Sequence, residues 1–151
     1  MIPSREDLEV FLNNPDNTRS IVNPDFGYYI KPDALYMGIY NDGVLIGVHE
    51  VRKFWHSVVE LHTIYAPEFR GKKAFAGYKM FAAWLLKNST FTNAITMVPD
   101  CTKYGRVLVI MTGAERIGHM QDAYIKDGEP MGVTLYQLNR KGFEELTNVD
   151  V

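Results

Sequence analysis

From Ala34 to Ala66 the chain is dominated by β-branched and aromatic residues, is broken once by Tyr40-Asn41-Asp42-Gly43-Val44, and stops at Pro67. Asp-Gly between two such runs is a strong short-range signal for a tight hairpin turn, because the turn needs positive φ at its central positions. A second turn near Trp55 and His56 divides the remainder, so the stretch predicts three antiparallel strands in succession, the third over Ser57–Tyr65. The period then changes. Across Gly71–Lys87, Ala74, Phe75, Tyr78, Phe81, Ala82, Leu85 and Leu86 recur at helical spacing and predict a central amphipathic helix.

The flanking sequence extends this frame. Ser4 and Asp7 form a capping-box-like start with Leu8, Phe11 and Leu12 on one face, which predicts a helix over Pro3–Asn13. Asn13–Pro32, with three prolines, reads as loop or short irregular turns. Asn93–Val98 reads as a short strand and Thr102–Met111 as a second amphipathic helix. Glu115–Asn139 reads as two strands about Asp127-Gly128, and Arg140–Leu146 as a terminal helical turn. No repeat or linker divides the chain, and 151 residues with 46% hydrophobic content suffice for one domain over 1–151 with its core at about 34–139.

Charge and composition remove several functions. A net charge of -2 with basic residues dispersed among acidic ones gives no footprint for nucleic acid. Cys101 is the lone cysteine, and no apolar run approaches the roughly 20 residues that span a bilayer. The charged start Met-Ile-Pro-Ser-Arg-Glu-Asp lacks the apolar core of a signal peptide, so a cytoplasmic protein with no membrane partner is expected. His49, His56, His62 and His119 lack a compact ligand spacing, and no metal site is expected.

The junction before the central helix carries the functional reading. It runs Tyr65-Ala66-Pro67-Glu68-Phe69-Arg70-Gly71-Lys72-Lys73-Ala74-Phe75. A loop feeding a helix N-terminus presents unpaired N–H groups and about half a unit of positive charge. Gly71 allows close approach of a phosphate, and Lys72 and Lys73 add charge; the same stretch also reads as an ordinary loop with solvated lysines. With the order strand, strand, strand, helix, strand, helix, strand, strand, this junction resembles the Gcn5-related N-acetyltransferase (GNAT) superfamily. There an Arg/Gln-x-x-Gly-x-Gly/Ala segment enters the central helix. The two small positions fall here on Lys73 and Phe75, with Ala74 and Ala76 beside them. The resemblance implies an α/β (α+β) domain whose mixed, mostly antiparallel twisted sheet carries helices on both faces. It also implies acetyl-coenzyme A as cosubstrate, held by Arg70, Gly71, Lys72, Lys73, Ala74 and Phe75 and by the main chain of Ile64 and Tyr65, where the third strand splays from Asn93–Val98.

The activity so implied is acyl transfer to a primary amine of a small molecule or protein. Glu60 on the third strand would accept the amine's proton, although it also reads as a solvated residue of a one-sided sheet. His62 projects to the same sheet face as Glu60 and reads as an ordinary polar residue. The later helix of the family carries Asn-x-x-Ala and a tyrosine acid. Here Thr102, Gly105, Val109 and Ala114 stand at those places, so Tyr104 or Tyr124 would serve instead. Phe26, Tyr28, Tyr29, Phe54 and Trp55 would flank an acceptor groove or finish the core. In its length, its Ile-Pro-Ser-Arg-Glu start and its eroded motif the chain is also similar to small acetyltransferase-like proteins of tailed-phage head assembly. That resemblance implies a non-catalytic role with phage structural proteins as partners, in the host cytoplasm.

Overall fold

A computed structural model describes residues 1–19 and 28–148. The expected loop therefore lies outside the described residues at 20–27, and Phe26 with it. Ser4 caps α1 (Arg5–Leu12) by accepting a hydrogen bond from the Asp7 N–H at 3.0 Å. Among its described residues the irregular stretch contains the four-residue helix α2 (Pro15–Thr18), which proline counting misses. Asn14 caps it and Pro15 starts it, the one helical position where a missing N–H costs nothing.

The three expected strands are β1 (Leu35–Asn41), β2 (Val44–Trp55) and β3 (Val58–Tyr65). Asp42 and Gly43 take φ of 48° and 78°, as a two-residue primed turn requires. A short 3-10 turn, Pro67–Phe69, leads into α3 (Lys72–Asn88), followed by β4 (Asn93–Pro99) and α4 (Lys103–Met111). The chain continues through β5 (Glu115–Lys126) and β6 (Glu129–Asn139), and α5 (Arg140–Thr147) is longer than a single turn because Asn139 caps it through the Gly142 N–H.

The six strands form one sheet in the order β1-β2-β3-β4-β6-β5. Every neighbouring pair is antiparallel except β3 and β4, which are parallel and joined by the α3 crossover. Strand alternation sends Tyr36, Val48 and Ile64 to one face, where they pack with Leu8, Phe11 and Leu12 of α1. Met37, Leu61 and Ala94 go to the other, against Tyr78, Phe81 and Leu85 of α3 and Phe143 and Leu146 of α5. Val98 shares that face and lies under Gly105 of α4. Helices thus cover both faces, α1 and α2 on one and α3, α4 and α5 on the other. No described helix is long and apolar enough to cross a membrane.

Candidate functional site

Pairing between β3 and β4 covers only Val58, Val59 and Glu60 against Asn93, Ala94 and Ile95. Beyond Glu60 the strands diverge, and the last link between them is the Thr96 hydroxyl donating to the Leu61 carbonyl at 2.7 Å. A cavity of about 540 Å³ opens in the fork. Because Leu61 and Thr63 line it from the α3 side and His62 and Ile64 from the α1 side, it reaches both faces of the sheet. Tyr104, Gly105, Leu108, Val109 and Thr112, one inward face of α4, form its wall. None of the helical residues of α4 is buried, so its apolar face lines open space instead of a packed core.

The fork decides which β3 main-chain groups are available. The Ala66 N–H bonds the Ile46 carbonyl of β2 at 3.0 Å, so by alternation Ile64, two residues earlier, also turns its main chain to β2. The expected Ile64 backbone contact is therefore corrected: Thr63 and Tyr65 face the fork. The Tyr65 carbonyl also accepts from Arg70 Nε at 3.1 Å, so the main chain of Thr63 and the Tyr65 N–H are what the strand turns to the fork. Tyr65 itself is buried, its ring and hydroxyl fitted against Gly47 and Gly77, where a Cβ on either glycine would overlap it. Its hydroxyl meets His49 Nε2 at 3.0 Å, and His49 Nδ1 meets Thr63 Oγ1 at 3.0 Å. His49 is wholly buried and stacked on Phe81, and burial lowers its pKa to about 3, so it stays neutral.

At the start of α3, Gly71 occupies the N-cap position with φ 77°, a conformation that favours glycine. No side chain caps this end, no acidic residue lies in the first turn, and the space where a Cβ would project is open. Lys72 and Lys73 are exposed, with the Lys73 ammonium 5.0 Å from the Phe69 ring centre. Ala74 is buried, and Phe75 packs on the α3 core. The two departures from the small-residue motif therefore leave the N-terminus unobstructed. Arg70 is a structural tie. Its guanidinium reaches the carbonyls of Asp16 and Asn17 at 3.2 and 3.3 Å and lies 3.7 Å from the Tyr104 ring centre.

On the α1 side, β2 and β3 bring together a polar cluster. Arg52 is opposite Glu60, and Glu50 is opposite His62. Glu60 is buried and accepts from Arg52 at 2.6 Å, with His62 Nε2 at 2.8 Å. The His62 hydrogen bond, then that from Arg52, outweigh desolvation and lower the Glu60 pKa to about 2. Glu60 does not line the cavity, whereas His62 does. The expectation of a solvated Glu60 is overturned by its burial, and so strongly acidic a carboxylate is a weak proton acceptor. His62, which reads from the sequence as an ordinary polar residue, stands on the cavity wall paired with Glu60, and its i, i+2 spacing from that carboxylate on one strand is the signal for the pair.

Tyr104 and Tyr124 both line the cavity. Burial, and then the Cys101 thiol 3.6 Å from its hydroxyl, raise the Tyr124 pKa, so its phenol remains a proton donor. Tyr28 and Tyr29 line the cavity on the α1 side, whereas Phe54 and Trp55 project exposed from the β2–β3 hairpin and do not. No metal-ligating cluster occurs among the described residues.

Residues 1–149 match a family described as "Protein of unknown function (DUF2824)". The chain is 32% identical over 121 residues to protein p31 of Acyrthosiphon pisum secondary endosymbiont phage 1, covering 80% of this chain and 76% of that protein. It is 27% identical over 141 residues to protein gp14 of Salmonella phage P22, covering 93% and 90%. Among solved structures, the spermidine N-acetyltransferase of Vibrio cholerae in complex with CoA and spermine superposes with a TM-score of 0.77 at 16% identity, covering 95% of this chain and 96% of that one. At that identity the likeness is one of fold.

Proposed function

From a chain that belongs to the DUF2824 family and has the fold of the GNAT acetyltransferases, we propose an acetyl-coenzyme A-dependent N-acyltransferase that acts on a primary amine of a small molecule or protein. The observation that carries this reading is the fork, where β3 abandons β4 after three residue pairs and leaves Thr63 facing a cavity open to both sheet faces. An extended pantetheine arm fits such an unpaired strand edge by main-chain hydrogen bonds. Its pyrophosphate fits the uncapped start of α3, with the N–H groups of Lys72, Lys73 and Ala74 and the two lysine charges beside Gly71.

Acetyl-coenzyme A supplies an activated acetyl thioester. His62, on the cavity wall, takes the proton that the attacking amine must lose, and Glu60 fixes the imidazole's orientation while remaining ionised. Tyr104 or Tyr124, both of which line the cavity, returns a proton to the departing thiolate. Desolvation inside the fork strengthens each of these interactions.

Calorimetric titration with acetyl-coenzyme A tests the cofactor site. Wild-type protein is expected to bind, and a folded Lys72→Glu/Lys73→Glu variant to bind at least about tenfold more weakly, since two charge reversals oppose the phosphates. Absence of binding by folded wild-type protein would overturn the reading. The relatives p31 and gp14, both phage proteins, and the commitment of Arg70 to structural contacts favour a second reading in that event: a non-catalytic role in particle (head) assembly with phage structural proteins as partners.

A further inference from the structure

We propose that Lys31 is a self-acetylation site, the chain's own primary amine seated where an acceptor amine binds; this rests on the acetyl-transfer reading above. Tyr28, Tyr29 and Lys31 form a strap along the α1 side of the cavity and line it. Both ends of the strap are fixed: the Tyr28 N–H donates to Asn13 Oδ1 at 3.1 Å, and the Lys31 N–H donates to the Tyr36 hydroxyl at 2.9 Å. The Lys31 ammonium then reaches inward to Glu50 Oε1 at 2.6 Å, while the Tyr28 hydroxyl donates to Glu50 Oε2 at 2.5 Å. Glu50 is 1% exposed and Lys31 remains partly open, so the carboxylate is built into the sheet and the lysine approaches it from the cavity side.

What stands around that ammonium is the equipment an acceptor needs. Glu50 binds and positions the cation, and His62, opposite Glu50 across β2 and β3 and oriented by Glu60, is the neighbouring base on the cavity wall. Burying a carboxylate opposite an imidazole in a cavity wall is costly, and a purely packed core would fill these positions with apolar residues. A tethered amine also reacts at the high effective concentration of an intramolecular partner.

The step balances without a further reagent. The Lys31 ammonium gives one proton to His62, the free amine so formed makes the Nζ–C bond to the acetyl carbonyl as the C–S bond of the thioester breaks, and the second Nζ proton passes to the thiolate of coenzyme A. The product is a neutral acetyl-lysine that no longer pairs with Glu50, which frees that carboxylate for an external cationic amine.

The test is a time course of wild-type protein with acetyl-coenzyme A, with each lysine mapped by peptide mass spectrometry and binding followed in parallel by calorimetry. Lys141, whose side chain is 81% exposed, is the internal reference for uncatalysed chemistry, which favours exposed amines. Lys31 is expected to gain an acetyl group at least about tenfold faster than Lys141. His62→Gln is expected to slow Lys31 and leave Lys141 unchanged. If Lys31 reacts no faster than Lys141 while the coenzyme binds, self-acetylation is overturned and transfer to an external amine stands. If the coenzyme does not bind and Lys31 stays unmodified, both fall.

Discussion

The two sides of the fork are built differently. β1, β2 and β3 are clamped between α1 and α3, and the buried side chains there include His49, Glu50 and Glu60 of the strands and Phe81 of α3. β5 on the far side is largely exposed along its length, and α4 contributes no buried helical residue. One side holds the polar groups in fixed positions, whereas on the other β4, β6 and α5 carry the core and only β5 and α4 lend the cavity a wall with little burial of their own. Pocket shape on that side thus depends on two elements that contribute little to stability.

Substitutions can break or sharpen that contrast. The largest loss is expected for Phe81→Ala, which empties a fully buried site that also stacks on His49 and should cost about 4 kcal/mol in urea denaturation. Gly77→Ala places a Cβ against the Tyr65 hydroxyl and is expected to cost about 3 kcal/mol by the same measurement. A smaller effect depends on pH. Folded His49 stays neutral down to about 3, whereas the unfolded chain protonates it below about 6.5, so the unfolded state binds the extra proton between these values. Stability should fall as pH drops from 6.5, by at most about 1.4 kcal/mol per unit from this group, and His49→Gln should remove that share of the slope. On the opposite side, Ile110→Ala on exposed α4 is expected to shift stability by no more than about 0.5 kcal/mol. A core-sized loss there would erase the distinction between the two sides.

Local signals made much of the fold legible. Asp42-Gly43 and Asp127-Gly128 fixed two turns because both need positive φ, and the stripe from Ala74 to Leu86 could bury itself only as a helix. α2 escaped because its evidence is a single capped proline in a polar stretch. The candidate site was less readable because its parts meet across long separations. The spacing of Glu60 and His62 showed a shared face but not that Arg52 would bury the carboxylate. Nothing local to Lys31 announces Glu50, and the end of β3–β4 pairing belongs to two strands about one helix apart. Arg70 matched a motif, and its side chain also braces the carbonyls of Tyr65 and Asp16, because sequence gives the residue and not the carbonyls it meets.

The inward face of α4 has an evolutionary consequence. Leu108 and Val109 touch the cavity from a helix none of whose residues is buried, so enlarging or shrinking either trades one occupant for another at little cost to the core. Descendants of this chain can diverge in what they admit by drifting along a single helical stripe, long before selection reaches the strands that keep the molecule intact.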